Sequence, residues 1–315
     1  MSYLALYRKY RPTKFDEVIG QNHITQTLTH QVENGAINHA YLFTGTRGTG
    51  KTTCAKIFAK AINCLHPVNG SPCGECDVCK ELNNPSNMDI LEIDAASNNR
   101  VDEIRDLREK VKYPPVSGKY KVYIIDEVHM LTDSAFNALL KTLEEPPKHV
   151  VFILATTEVQ KLPATILSRC MRFDFKLIDS ASLAKQVEKV YLDSGITFEP
   201  PALDLIANAG LGSSRDTLSI ADMVASFCSN NVTFSKTLQV LGSISKETII
   251  NLTQHIIEKD VNGFITLLTQ VLNDGKNVSV LTKDLMNHFR DLILIANSQN
   301  ANNILNYPEE IYKKM

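Results

Sequence analysis

Residues 45–52 read Gly-Thr-Arg-Gly-Thr-Gly-Lys-Thr, which matches the pattern G-x-x-x-x-G-K-S/T at every fixed position. The stretch follows a short apolar run, residues 41–43, and precedes a helical pattern over residues 54–62. A phosphate-binding loop requires this strand, loop and helix context. Glycines allow backbone N–H groups to turn inward around phosphates, and the start of a helix adds partial positive charge there. We therefore predict a nucleoside triphosphate site; the alternative is a glycine-rich surface turn with a chance lysine.

The residues of this loop have distinct expected roles. Lys51 is expected to reach the β- and γ-phosphates of the triphosphate, and Thr52 to hold Mg²⁺ through its hydroxyl. The N-terminal arm, residues 4–18, interleaves basic and aromatic residues. It could form a lid over an adenine base, a nucleic-acid contact or an ordinary N-terminal arm. The remaining candidate nucleotide contacts are Gly45, Thr46, Gly48, Thr49, Gly50, Thr53 and, from the arm, Arg11.

Composition narrows the class of protein. The chain has 315 residues, of which 43% are hydrophobic and 22% charged, and this length favours two or three domains. No apolar run approaches the roughly 18 residues of a membrane span, and the first residues do not resemble a secretion signal. We therefore expect a cytoplasmic protein with no membrane partner. The net charge is only −2, so any nucleic-acid contact must come from a local basic patch.

Four cysteines are closely spaced, whereas the other three stand apart. Cys64, Cys73, Cys76 and Cys79 form C-x8-C-x2-C-x2-C within residues 63–80, a segment rich in Pro, Gly and Asn. Four thiols at such spacing predict a structural Zn²⁺ site, since four protein ligands leave no open position for chemistry. A disulfide pair is disfavoured in a reducing compartment, and unconnected thiols are the other alternative. Three cysteines are predicted to be small packed hydrophobes: Cys54, Cys170 and Cys228.

A second apolar run, residues 121–127, ends in two acids and reads Lys-Val-Tyr-Ile-Ile-Asp-Glu. The run predicts a buried parallel strand, and its carboxyl end is where ligands bind in open α/β sheets. Asp126 is placed to hold Mg²⁺ through water, and Glu127 to polarise the water that attacks the γ-phosphate. A solvated turn is the alternative.

Residues 150–157 predict another buried strand, which ends in hydroxyl side chains. This polar end could cap the following loop. Alternatively, Thr157 could lie between the acidic strand and the γ-phosphate. Shorter strands are predicted at residues 89–94 and 171–175, and together the strands indicate an α/β chain with a parallel sheet.

Six stretches together resemble one family. They are residues 45–52, the four-cysteine insertion, Ile124-Ile125-Asp126-Glu127-Val128-His129, residues 139–147, Ala155-Thr156-Thr157 and Ser168-Arg169-Cys170. On these residues the chain resembles the gamma/tau subunits of bacterial DNA polymerase III, the ATPases of the sliding-clamp loader within the AAA+ class. The resemblance runs from Tyr7 to about Gly242 and is weaker beyond.

The resemblance implies an architecture. Residues 1–178 would form a P-loop AAA+ domain of α/β class with a parallel sheet, carrying a zinc-binding insertion at about residues 63–80. Residues 179–242 would form a three-helix lid domain. Residues 243–315 would begin the helical collar through which these subunits assemble, and the collar would be incomplete.

The resemblance also assigns roles to residues that no local pattern singles out. Arg169, in Ser-Arg-Cys, would approach the ATP of the neighbouring subunit, and Arg215, in Ser-Arg-Asp, would touch the γ-phosphate of its own ATP. The alternatives are a surface arginine for Arg169 and a solvated helix-start arginine for Arg215. Four residues would contact DNA phosphates by family position, unless they are ordinary solvated surface residues: Arg100, Arg105, Lys141 and Thr165.

The implied function is an ATP-hydrolysing subunit of the replicative clamp loader, which uses ATP, Mg²⁺ and Zn²⁺. Its partners would be the other loader subunits in a hetero-pentamer, the sliding clamp and primed DNA. One alternative is a non-hydrolysing scaffold subunit, which the presence of Lys51, Thr52, Asp126 and Glu127 argues against. Another is an AAA+ DNA branch-migration motor, which would not be expected to carry the cysteine insertion. No polymerase site is predicted in this chain.

Overall fold

A computed structural model describes residues 4–84, 86–97, 107, 109–241, 246–273 and 278–297 of the chain. The chain divides into two compact units. The first unit comprises Met1–Ser194 and Ile206–Asp222, and the second comprises Gly195–Leu205 and Met223–Met315.

The first unit is built on a parallel sheet of five strands: β1 (Ala40–Thr44), β2 (Ile90–Asp94), β3 (Lys121–Asp126), β4 (Val150–Thr156) and β5 (Met171–Asp174). Their order in the sheet is β2-β3-β4-β1-β5. Strands β1 and β4 are buried along their whole length, as expected for apolar strands covered on both faces. This confirms the predicted α/β class.

Successive residues of the buried strands point to opposite faces of the sheet and feed two separate cores. Tyr41 and Phe43 of β1 join the core that contains Phe58. Leu42, between them, joins the other core together with Phe136. The sheet is therefore the middle layer of a three-layer unit, and its carboxyl edge is left for polar residues.

Helices and short 3₁₀ turns cover the two faces. The end of α2 (Asn22–Asn34) is set by Gly35, which has φ +64° and closes the helix as a left-handed cap. Thr132 caps the start of α5 (Asp133–Glu144) by accepting a hydrogen bond from the Ala135 N–H. The helices are α1 (Leu6–Lys9), α2 (Asn22–Asn34), α3 (Lys51–Ala61), α4 (Asp77–Leu82), α5 (Asp133–Glu144), α6 (Ala164–Leu167) and α7 (Ser180–Asp193).

Two further helices, α8 (Pro200–Ala209) and α9 (Ser214–Phe227), contribute residues 206–222 to the first unit. With α7 they give the three helices expected between residues 180 and 227. The predicted domain boundaries at residues 178 and 242 stay predictions.

The second unit is mainly helical. It contains α10 (Phe234–Leu241), α11 (Lys246–Ile257), α12 (Val261–Asn273) and α13 (Val278–Asn297). A small core joins Leu252, Val271 and Leu281. A parallel pair of two-residue strands, β6 (Thr197–Phe198) and β7 (Asn231–Val232), was not predicted from the sequence. Among the described helices, none combines the length and the apolar composition needed to cross a membrane.

Gly45, directly after β1, provides a test of how the first unit packs around the end of this strand. Its φ is +141°, and an added Cβ would lie 2.4 Å from the backbone oxygen of Phe175. We expect Gly45→Ala to destabilise the first unit by on the order of 1–3 kcal/mol, because the backbone is both strained and obstructed. Thermal unfolding should detect this as a Tm lowered by several degrees.

Gly35→Ala is the matched control. Gly35 also has positive φ, +64°, but no atom lies within 4 Å of the position of an added Cβ. Gly35→Ala should therefore destabilise the first unit less than Gly45→Ala does, since only conformational strain contributes. Equal losses for the two variants would contradict the role assigned to the Phe175 contact.

Candidate functional site

The predicted phosphate-binding loop connects β1 to α3, and Lys51 is the first residue of that helix. The Lys51 side chain turns into the loop, where its Nζ donates to the carbonyl oxygens of Gly45 at 2.8 Å and Thr46 at 2.9 Å. Burial lowers the pKa of the Lys51 ammonium, and the carboxylates of Glu127 and Asp126 oppose that effect. The loop thus already places a cation at its centre, where a phosphate would need one.

The first acid of the pair lies beside the loop. Thr52 Oγ1 donates to Asp126 Oδ2 at 2.6 Å. The parallel strands bring these residues together, because the carboxyl ends of β1 and β3 meet at one edge of the sheet. Hydroxyl and carboxylate oxygens are the hard ligands that Mg²⁺ prefers. Thr52 and Asp126 therefore fit the predicted ion in both chemistry and position.

The second acid, Glu127, is held from the neighbouring strand. Its backbone has φ +47°, a left-handed conformation that is uncommon for a residue other than glycine. Its Oε2 accepts hydrogen bonds from the Thr157 hydroxyl at 3.0 Å and from the Thr157 N–H at 3.3 Å. Thr157 therefore contacts the acidic pair directly, whereas the following loop is capped by Thr156, whose Oγ1 accepts from the Glu158 N–H at 3.0 Å.

His129 is a member of this cluster that the sequence reasoning did not single out. Its side chain is only 6% exposed, and its Nδ1 lies 3.4 Å from Glu127 Oε2 and 3.0 Å from Thr156 Oγ1. Its Nε2 lies 3.3 Å from Glu158 Oε1. A histidine two residues after an acidic pair at a strand end was the available signal.

A cavity of about 680 Å³ in the first unit joins the loop, the acidic pair, the N-terminal arm and the start of α9. Arg11 lines this cavity, and its Nε donates to Thr53 Oγ1 at 3.2 Å. Arg215 lines it too. The structure thus places both arginines at the cavity that contains the predicted phosphate site.

Close contacts hold the loop against its surroundings. Gly48 has φ +77°, and an added Cβ would lie 1.9 Å from Ser213 Oγ. Gln21, which is fully buried, donates from Nε2 to the Lys176 carbonyl at 2.7 Å and to the Thr49 carbonyl at 3.4 Å. No local pattern marks Gln21, because its partners are distant in the sequence.

Arg169 lies elsewhere and is not among the residues that line the cavity. Its guanidinium donates to the Thr165 carbonyl and to Glu144 Oε1, both at 2.8 Å. The side chain is 32% exposed. Arg169 therefore does not line the cavity that contains the predicted phosphate site.

The four closely spaced cysteines come together. Their Sγ atoms all lie within 4.8 Å of one another, compared with about 3.8 Å between sulfurs in a tetrahedral zinc site with Zn–S bonds of about 2.3 Å. None of the seven cysteines forms a disulfide. Burial alone would raise the pKa of Cys76, but hydrogen bonds from the backbone N–H groups of Leu65 and Cys79 bring it down to about 6. Burial instead raises the pKa values of Cys64 and Cys79, so the fit to Zn²⁺ rests on the geometry of the four sulfurs.

Three family models match successive parts of the chain. "DNA polymerase III, delta subunit" matches residues 20–179, and "DNA polymerase III clamp loader subunit, ATPase lid domain" matches residues 182–230. "DNA polymerase III subunits gamma and tau domain III" matches residues 232–315.

Curated relatives agree with these models. The chain is 48% identical to DNA polymerase III subunit tau of Bacillus subtilis over 97% of this chain and 54% of that protein. It is 37% identical to DNA polymerase III subunit gamma of Buchnera aphidicola over 99% of this chain and 87% of that protein. The chain belongs to the gamma/tau family of DNA polymerase III. It spans about half the length of the tau relatives, including 47% of that of Escherichia coli.

Solved structures show the fold of this gamma/tau chain. The RuvB Holliday junction branch migration motor of Thermotoga maritima matches with a TM-score of 0.57 and 19% identity, over 78% of this chain and 79% of that one. A single-residue variant of the same motor gives a TM-score of 0.58 at 18% identity, over the same shares. At this identity the likeness concerns the fold alone, which is the AAA+ fold expected from the sequence.

Two of the four residues expected to contact DNA are described by the structure. Lys141 on α5 and Thr165 on α6 are both exposed, and the Thr165 carbonyl accepts the hydrogen bond from Arg169. Arg100 and Arg105 lie outside the described residues. Contact of all four with DNA stays a prediction.

The cysteine cluster of this gamma/tau chain gives a metal prediction. Reduced protein should contain about one Zn²⁺ per chain, because four thiolates complete one tetrahedral shell. Cys76→Ser should reduce zinc content to near zero and expose residues 63–80 to protease, since folding of such a loop is coupled to metal binding. Elemental analysis and limited proteolysis measure the two effects.

Cys228→Ser is the control, because Cys228 is buried in the second unit and outside the cluster. The Cys228→Ser protein should retain its Zn²⁺. Reduced wild-type protein without metal would rule out the proposed site.

Proposed function

We propose that this chain is an ATP-hydrolysing subunit of the bacterial replicative clamp loader, which loads the sliding clamp onto primed DNA within the DNA polymerase III holoenzyme. The observation that carries the proposal is the complete hydrolytic set beside one cavity: Lys51, Thr52, Asp126 and Glu127. A non-hydrolysing scaffold subunit has no need for all four.

Binding of ATP would use the loop directly. The backbone N–H groups of the loop would turn toward the phosphates, and the start of α3 would favour their negative charge. Lys51, now held by two carbonyl oxygens, would exchange them for phosphate oxygens, which form stronger charge-assisted hydrogen bonds. Mg²⁺, when bound through Thr52 and Asp126, supplies positive charge to the phosphates.

Hydrolysis would depend on the position of Glu127. Its carboxylate lines the cavity and is oriented by both donors of Thr157. From there it would orient the attacking water and accept its proton. Arg215, at the same cavity, would contact the γ-phosphate of the ATP bound to its own chain.

The whole assembly would convert this chemistry into clamp loading. We propose that the partners are other loader subunits in a hetero-pentamer, the sliding clamp and primed DNA, the latter held by phosphate contacts without base reading. ATP can favour an open-clamp state only as far as it binds that state more tightly. Zn²⁺ would be structural, and the cytoplasmic location expected from the sequence stays a prediction.

The deciding experiment is an ATPase and clamp-loading assay of this chain mixed with the other loader subunits, with and without clamp and primed DNA. We expect hydrolysis to be stimulated when both are present, and Lys51→Ala to serve as the inactive reference. Activity no higher than that reference would favour the scaffold alternative. Hydrolysis coupled to movement along bare DNA, with no need for the clamp, would favour the branch-migration motor.

A further inference from the structure

Two guanidinium groups lie against the ring of Tyr7. The Arg215 Cζ is 5.3 Å from the ring centroid, and the Arg8 Cζ is 5.6 Å from it. Arg8 also donates from Nε to the Tyr7 hydroxyl at 3.0 Å. This hydrogen bond lowers the pKa of the Tyr7 phenol, and the charge of Arg215 acts in the same direction. The contact with Arg215 joins the N-terminal arm to the start of α9.

The arm is anchored so that Tyr7 stays beside Arg215. On one side of Tyr7, the Leu6 N–H donates to Asp222 Oδ2 at 3.2 Å. On the other side, the Tyr10 hydroxyl lies 2.8 Å from Ser194 Oγ. All of these residues belong to the first unit. The Tyr7 ring is therefore tied to α9 and to the end of α7, and it lines the same cavity as Lys51.

The contact between Arg215 and Tyr7 is weaker than the one that a phosphate would offer to Arg215. Among the described residues, no carboxylate forms an ion pair with Arg215, whereas Arg169 is paired with Glu144. A cation above an aromatic ring is held weakly at a partly exposed site. A phosphate oxygen offers a charge-assisted, bidentate partner that is stronger. A triphosphate in the cavity can therefore take Arg215 from Tyr7.

We propose that Tyr7 is a positioning residue for Arg215: its ring holds the guanidinium at the edge of the cavity in the nucleotide-free chain and releases it to the terminal phosphate of ATP. This inference rests on the proposed function, since it needs ATP in the cavity. The ring acts as a competitor of the phosphate, so the contact sets how readily Arg215 engages the nucleotide.

The chain contains no tryptophan, which allows a direct optical test of the contact. Tyr7→Trp introduces a single indole and retains the stacking, because tryptophan is the best aromatic partner for a cation. Without nucleotide, we expect its emission to differ from that of the double variant Tyr7→Trp, Arg215→Ala. Identical spectra would overturn the contact whether or not the chain binds ATP.

Nucleotide titrations test the release. With Mg²⁺ present, ATPγS should change the Tyr7→Trp emission more than ADP does, and this difference should vanish when Arg215→Ala is added. An equal difference in both backgrounds, or none although calorimetry shows binding, would overturn the proposal. Tyr113→Trp is the control probe, since Tyr113 is 67% exposed and does not line the cavity; it should not respond. Absence of ATPγS binding to the wild type would instead contradict the proposed function.

The affinity for ATPγS distinguishes a positioning role of Tyr7 from a merely structural one. Removing a weak competitor by Tyr7→Ala should tighten ATPγS binding about two- to fivefold, the equivalent of an exposed cation–π contact. Tyr7→Phe retains the ring and should bind like the wild type. In the Arg215→Ala background, Tyr7→Ala should have no effect. Weaker binding by Tyr7→Ala, or the same effect without Arg215, would show that Tyr7 only supports the arm.

Discussion

Replacing Arg169 with alanine is expected to lower the clamp- and DNA-stimulated hydrolysis of ATP by a factor of roughly 10³ to 10⁵, the contribution of an arginine finger in other nucleotide hydrolases. The binding of nucleotide should change far less. The reason is that a guanidinium supplied by a neighbouring subunit neutralises charge that develops only as the phosphoryl group is transferred.

The position of Arg169 agrees with action on another subunit. Arg169 follows α6, does not line the cavity of its own chain and remains 32% exposed. Its ion pair with Glu144 is a partly exposed one, so little stability opposes its release toward a neighbour's phosphate. Arg172→Ala is a suitable control, because Arg172 lies close by in the sequence and pairs only with Asp174 among the contacts described; it should hydrolyse ATP nearly normally.

Mixing chains tests action in trans. Assemblies that contain both Arg169→Ala and Lys51→Ala chains should recover part of the hydrolysis, at interfaces where an intact loop meets an intact arginine. Each variant alone should remain inactive. If mixed assemblies demonstrably form and recover no activity, Arg169 does not act across the interface.

Glu127→Gln should have the second-largest effect. We expect it to lower hydrolysis by roughly 10² to 10⁴, the usual contribution of a general base, and to retain ATP binding. The amide cannot take a proton from water, yet its oxygen can still accept the two hydrogen bonds that Thr157 now donates to Glu127. The fold and the Thr52 and Asp126 pair should therefore be undisturbed.

Calorimetry would measure ATP binding by Glu127→Gln, and single-turnover assays its hydrolysis. Reconstituted loaders carrying it should stay bound to clamp and DNA, because release follows hydrolysis. Glu158→Gln is the matched control: Glu158 is close to His129 but is 38% exposed and also pairs with Lys161. A Glu127→Gln chain that cannot bind ATP would show that the role of Glu127 is wrongly assigned.

Much of the fold was predictable because its signals are local. Strands β1, β3 and β4 are mainly apolar runs, whereas β2 and β5 mix apolar and charged residues. The limits of all five agree with the predicted ones to within one or two residues. The cysteine cluster was predictable for the same reason, since its four ligands lie within residues 64–79 and the loop has little core of its own. The two-residue strands β6 and β7 carry no such signal, because two residues are too short for a periodic pattern.

Residue patterns along the chain were enough to predict the chemistry: a phosphate loop in residues 45–52, acids at the end of β3 and four thiols at metal-ligand spacing. How these groups are held became visible in the folded chain alone. In the folded chain, Thr157 contacts Glu127, Tyr7 contacts Arg215, and Glu144 contacts Arg169. Each of these contacts joins residues that are far apart in the chain and is formed when packed strands and helices bring their ends together. Local residue spacing carries no information about such contacts, since their geometry follows from strand order and helix packing.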